Sequence, residues 1–175
     1  MPHIILRFVK MKGNPTKAFE NHRELHFNGC GFEYMDYHIM KPSKSYYEEI
    51  QSRIEKSGYK VRVNSIKFID TLVTASPDFF IYYSLEEIKI YFEMSVDFLN
   101  EKLVEDNIFS AVVHMNDKIP HMHLCFVPIT EDKRLPAKEI IGNRNNLLKW
   151  HNEFNLYMSK KYKNLEWRNA DVEND

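Results

Sequence analysis

Two short runs rich in β-forming residues, Ile108-Phe109-Ser110-Ala111-Val112-Val113 and Leu124-Cys125-Phe126-Val127, flank a segment that holds three histidines within ten residues: His114, His121 and His123. Apolar run, polar stretch, apolar run is the pattern of a β-hairpin. Asn116, Asp117 and Lys118 fall in its loop, and Pro120 fits the start of the returning strand. If residue 115 pairs with residue 120, His114 stands opposite His121 at about 5 Å between Cβ atoms, and His123 follows two residues along the same face. One histidine alone reads most simply as an ordinary half-buried side chain. Three neutral imidazoles aimed into one volume are costly to keep together unless an ion compensates them, and that favours a metal site.

The rest of the composition narrows the setting. A chain of 175 residues with 43% apolar and 14% aromatic residues can bury one core and fits one domain. Its two cysteines, Cys30 and Cys125, lie far apart and suggest neither a disulfide scaffold nor a thiolate zinc site. The opening Met-Pro-His-Ile-Ile-Leu-Arg is too short an apolar run for a signal peptide, and no stretch nears the roughly 18 apolar residues of a membrane span, so a cytoplasmic protein is expected. A formal charge of −1 does not advertise nucleic-acid binding. The distribution is uneven, however: residues 1–63 hold 11 Lys/Arg against 7 Asp/Glu, and residues 64–106 hold 3 against 9. A basic front half could line a polar groove on one side of the fold, although such sums also arise from solvated faces.

Periodicity predicts a first strand over residues 3–12 and a helix from Asn14 and Pro15 to about His26, broken by Gly29 and Gly31. A strand is expected over 32–40. Ser45-Tyr46-Tyr47-Glu48 has the capping-box form for a short helix that Gly58 ends. Residues 61–74 read as one long strand. Ser84-Leu85-Glu86-Glu87 caps a helix whose apolar stripe is Leu85, Ile88, Phe92, Val96 and Leu99. After the histidine hairpin, a last amphipathic helix runs from Asn143 through Leu147, Trp150, Phe154 and Met158, and 169–175 reads as a frayed acidic end. The order βαβαβαββα predicts an α+β sandwich, an antiparallel sheet flanked by helices, in one domain over 1–165 with a tail over 166–175. Neither a glycine-rich phosphate loop nor a Gly-x-Ser-x-Gly elbow is present.

His121-Met122-His123, with His114 and Pro120 upstream, resembles the metal motif of the Mob/Pre plasmid mobilisation relaxases, the MobV class of HUH endonucleases. The front end agrees: Arg7-Phe8-Val9-Lys10-Met11-Lys12-Gly13, then Ala18-Phe19-Glu20-Asn21-His22, is similar to that family's opening strand and first helix. The resemblance covers roughly residues 1–160. It implies an HUH-type sandwich with the His-hydrophobe-His segment on a central strand, and a metal-dependent nickase and strand transferase acting on single-stranded or hairpin DNA at a transfer origin. It also implies other mobilisation proteins as partners and a longer helical region following the relaxase domain.

In that family the three histidines hold one divalent ion, Mn or Mg, and His22 matches the nucleophile that forms a phosphoramidate with the 5′ end of the cut strand. A neutral imidazole can attack near pH 7 without the base that a tyrosine of pKa about 10 needs. Read from the residues alone, His22 and His26 could equally be metal ligands or line a solvated helix face. Tyr34, Tyr37, Tyr46 and Tyr47 are the competing nucleophiles, or core aromatics, or platforms for base stacking. Asp117 stands where the family tends to have Glu and is the candidate acid/base or metal-orienting group. Leu25 replaces an arginine often found there, leaving nearby Arg23 as a phosphate contact, and Asp36-Tyr37-His38-Ile39 corresponds inexactly to an Asn-Tyr-acid-Leu motif. Arg7, Lys10, Lys12, Tyr46 and Tyr47 are the expected DNA contacts. A metal-dependent hydrolase of small phosphodiesters, or a catalytically silent DNA binder of the same fold, would use the same hairpin.

Overall fold

The structure is a computed structural model and describes residues 2–13, 36–115, 118–163 and 165. The helix expected over 14–26, with His22, Arg23 and His26, lies outside the described residues, as do Tyr34, Asn116, Asp117 and the tail over 169–175. Among the described residues there are five strands: β1 (Ile4–Met11), β2 (Tyr37–Met40), β3 (Phe68–Ala75), β4 (Ile108–His114) and β5 (His121–Phe126). They form one antiparallel sheet in the order β1-β3-β5-β4-β2, so the histidine hairpin β4-β5 provides the central strand. Among the described residues no helix is long and apolar enough to cross a membrane.

Side chains alternate across a strand, so directly paired residues share a face and the register sorts the sheet into two sides. Leu6, Ile69, Val73, Met122, Leu124, Phe126, Ala111 and Val113 fall on one side and are buried. Two helices belong to that core: α3 (Leu85–Lys102) and α5 (Arg144–Met158). Their aromatic residues interlock, Phe98 packing on Trp150 and Phe154 with ring centres 5.9 and 5.1 Å apart. The stripe of α3 is wider than expected: Tyr91, Ser95 and Phe98 are buried with Ile88, Phe92, Val96 and Leu99, while Leu85 is only half-buried.

Among the described residues, the opposite face is covered at one end. Helix α1 (Tyr46–Ser57) lays Tyr46, Ile50 and Ile54 in a second core cluster with Phe68, Phe109, Cys125 and Val127. Its ends follow the sequence. Ser45 and Glu48 form the reciprocal capping box, and Gly58 closes the helix at φ 71°, a left-handed conformation that a residue with a Cβ takes at a cost. The same box, Ser84 with Glu87, starts α3, and the Asn143 side chain accepts from the first amides of α5.

Two expectations need correction. The long strand over 61–74 is shorter: β3 starts at Phe68, and Val63 is 95% exposed. A strand persists only where it has a ladder partner, and β1 runs out at Met11, opposite Phe68; beyond it Ser65 N–H turns back to the Arg62 carbonyl at 2.9 Å. Two short helices also stand where the sequence pattern predicts none, α2 (Pro77–Tyr82), with Pro77 at its first position, and α4 (Ala137–Ile140). Both are too short to show a periodic stripe.

Candidate metal centre

His114 pairs with His121 across the hairpin, and His123 lies two residues along on the same face, as the spacing predicts. The rings converge: centre-to-centre separations are 5.1 Å for His114–His121, 5.3 Å for His121–His123 and 6.0 Å for His114–His123. Three imidazoles around one ion, each nitrogen about 2.1 Å from it, have ring centres roughly 5 to 6 Å apart. Among the described residues no trio of His, Cys, Asp or Glu is already closed to coordination distances.

Each ring is held by its Nδ1. His114 Nδ1 lies 3.0 Å from Asp36 Oδ2, His121 Nδ1 lies 3.0 Å from the Ile119 carbonyl, and His123 Nδ1 lies 3.1 Å from Asp70 Oδ1. Carboxylate and carbonyl oxygens only accept, so in the neutral rings Nδ1 carries the proton and Nε2 keeps its lone pair. A ring N–H bound to an oxygen, which leaves the other nitrogen to coordinate, is the arrangement that metal-binding histidines use. The turn leading into β5 is pinned as well, because Thr74 Oγ1 donates to the Pro120 carbonyl at 2.7 Å. Asp36 and Asp70 are both buried, at 4% exposure, and sequence reasoning does not single out either as a support of the histidines. Asp70 does leave a signal: it is the one acid in the otherwise apolar and hydroxylic strand Phe68–Ala75.

The sheet also sorts the expected DNA contacts. Arg7 pairs with Leu72, which pairs with His123, so Arg7 lies on the histidine face two strand spacings, about 10 Å, from His123. Lys10 pairs with Ile69 and belongs to the opposite face, and Lys12 follows the end of β1. Tyr47 is 60% exposed, but the expectation that Tyr46 offers its ring to a base is corrected: Tyr46 is buried edge-on against Phe109, with its hydroxyl at 2.5 Å from Ser110 Oγ. Successive residues on a helix are about 100° apart, so with Tyr46 turned inward on α1 its neighbour Tyr47 turns out.

Two of the competing nucleophiles are disfavoured by their surroundings. Burial raises the Tyr46 phenol well above its ordinary range. Tyr37 lies on the α3 side of the sheet, opposite the histidines. Its hydroxyl has no hydrogen-bond partner among the described residues, and burial, then Glu93 and Glu86, push its pKa far up.

The family profile of plasmid recombination enzymes matches residues 1–168. The chain belongs to the Mob/Pre family of plasmid recombination enzymes. A type 1 plasmid recombination enzyme from Staphylococcus aureus is 35% identical over 178 residues, covering 95% of this chain and 44% of that protein. One from Bacillus thuringiensis is 40% identical over 131 residues, covering 72% of this chain and 28% of its own length. This Mob/Pre chain therefore spans less than half the length of such relatives. The fold is shared with a solved MobM relaxase domain bound to a 26-nucleotide pMV158 oriT DNA, at TM-score 0.80 and 25% identity, covering 99% of this chain and 96% of that one. A Mn-bound form of the MobM domain with a 22-nucleotide oriT DNA superposes with TM-score 0.83 at 24% identity, covering 99% of this chain and 94% of that one.

Proposed function

We propose that this chain is the nicking and strand-transfer domain of a plasmid mobilisation relaxase, cutting one strand of DNA at a transfer origin. The observation that carries the reading is the trio of histidine rings, with centres 5.1 to 6.0 Å apart and each held through Nδ1 by an oxygen. His114, His121 and His123 would hold one divalent ion, and Mn suits an all-imidazole set better than Mg, which prefers oxygen donors. Bound there, the ion would polarise the scissile phosphate and neutralise charge on its oxygens. The Mn and oriT DNA present with the MobM domain support the same assignment.

The chain's own residues supply the rest. Arg7, on the same face, orients the phosphate backbone, and exposed Tyr47 offers a surface for a base to stack on. His22, outside the described residues, is the proposed nucleophile: its nitrogen forms a bond to phosphorus, the bond to the 3′ oxygen breaks, and that oxygen leaves as a hydroxyl after taking up a proton. A free 3′ hydroxyl later reverses the step and releases the imidazole. Arg23 as a phosphate contact and Asp117 as an acid/base group complete the proposal.

The test is incubation with Mn and end-labelled single-stranded oligonucleotides that tile the transfer origin of the replicon carrying the gene. A covalent protein-DNA adduct should form. It should hydrolyse in mild acid, where a protonated phosphoramidate nitrogen leaves readily, and should be absent in His22→Ala but present in Tyr47→Phe. Strand release without an adduct would point to a simple phosphodiesterase, retention without cleavage to a silent DNA binder. An acid-stable adduct that survives in His22→Ala would transfer the role to a tyrosine.

A further inference from the structure

Asp36 holds more than a ring. Its Oδ2 lies 3.0 Å from His114 Nδ1, while its other oxygen, Oδ1, accepts the Met115 backbone N–H at 2.8 Å. One carboxylate thus grips both the side chain of a candidate ligand and the main chain immediately after it. The register explains how. Tyr37 pairs with Val113, so the residue before Tyr37 stands opposite the residue after Val113, and Asp36 faces His114 across the edge of the sheet. The hairpin needs such a grip at this point. His114 is the last residue of β4, where the ladder to β2 has ended, whereas His121 and His123 sit on the central strand with neighbours on both sides.

We propose that Asp36 is a positioning residue of the metal centre, fixing His114 in the Nδ1–H tautomer with Nε2 turned toward His121 and His123 and tying that ring to the end of β4. The proposal rests on the reading that the three histidines bind a divalent ion. A carboxylate is suited to the task because both oxygens accept, and His114 Nδ1–H and the Met115 N–H are both donors. An amide at this position has one accepting oxygen for two donors: serving Met115 would turn its NH2 toward His114 and favour the opposite tautomer, and serving His114 would leave the Met115 N–H facing another donor. An apolar residue would serve neither.

The test is nitrogen-15 NMR of the histidine rings in the metal-free chain near pH 8, about 1.5 units above the ordinary imidazole pKa, paired with Mn titration by calorimetry. In the unsubstituted chain His114 should be the Nδ1–H tautomer. Asp36→Ala should remove that preference at His114 while His121 and His123 keep theirs, and should weaken Mn binding by roughly 10- to 100-fold. A purely structural role would lower the melting temperature and shift all three rings alike. The proposal is overturned if His114 is the Nε2–H tautomer in the unsubstituted chain, a measurement that does not depend on any variant folding, or if Asp36→Ala binds Mn within twofold of the parent. Absence of Mn binding by the parent would instead remove the metal-centre reading, and the tautomer of His114 would still decide whether Asp36 orients it.

Discussion

Glu49 anchors the helix that roofs one end of the histidine face, and its removal has consequences that can be counted. Its carboxylate is buried at 6% exposure and accepts from the Ser43 N–H at 2.7 Å, the Ser43 hydroxyl at 2.8 Å, the Lys44 N–H at 3.0 Å and Arg53 Nη1. Arg53 in turn donates from Nε to the Asp106 carbonyl at 2.6 Å, so one carboxylate ties the loop before α1 to α1 and, through Arg53, to the connection before β4. Glu49→Gln keeps an oxygen for the Ser43 and Lys44 amides but sets an NH2 against the guanidinium, donor against donor. Losing one buried charge-assisted hydrogen bond costs about 1.5 to 3 kcal/mol, and at roughly 2 to 4 °C per kcal/mol for a chain of this size the melting temperature should fall by about 3 to 12 °C at pH 7.

The acid limb tests the cause. Burial opposes ionisation of Glu49, but the hydrogen bonds from Arg53, Ser43 and Lys44 together outweigh it, so its folded pKa lies below the ordinary carboxylate value. A depressed folded pKa stabilises the fold above the unfolded pKa, about 4.3, and that contribution is lost as pH falls through the folded value. Urea unfolding of the parent and Glu49→Gln from pH 7 to pH 3 should therefore show a gap that closes in acid. A gap below about 0.5 kcal/mol at pH 7, or one that stays constant to pH 3, would refute the argument.

Asp70 backs His123 from the neighbouring strand, so Asp70→Asn should weaken Mn binding by about 10- to 100-fold, measured by calorimetry; affinity within twofold of the parent would show that the carboxylate is dispensable. The two faces of β1 can be separated by salt titration of single-stranded oligonucleotide binding. Arg7→Ala should lower the affinity and reduce the slope of log K against log salt by about 0.7, whereas Lys10→Ala, on the far face, should leave the slope alone. Equal effects from the two substitutions would mean that DNA does not select the histidine face.

What the sequence determined is local. The spacing of His114, His121 and His123 between two β-rich runs already set their registration, because a hairpin of that length leaves the pairing partners little choice. The ends of α1, α3 and α5 were legible for the same reason, since Ser45, Ser84, Asn143 and Gly58 act on backbone groups within four residues of themselves. Strand length was not. Residues 61–67 have the composition of a strand, but β1 ends at Met11 and offers them no partner.

Only the tertiary structure decided what stands behind and beside the histidines. Asp70 is 53 residues from His123 and Asp36 is 78 from His114, and their meeting depends on the strand order β1-β3-β5-β4-β2, which no local pattern encodes. The same holds for Arg7 against Lys10 and for Tyr46 against Tyr47, pairs of similar residues whose roles diverge once one faces the histidines or the core and the other does not. Local sequence sets which side chains share a face, but long-range pairing of strands sets what that face meets.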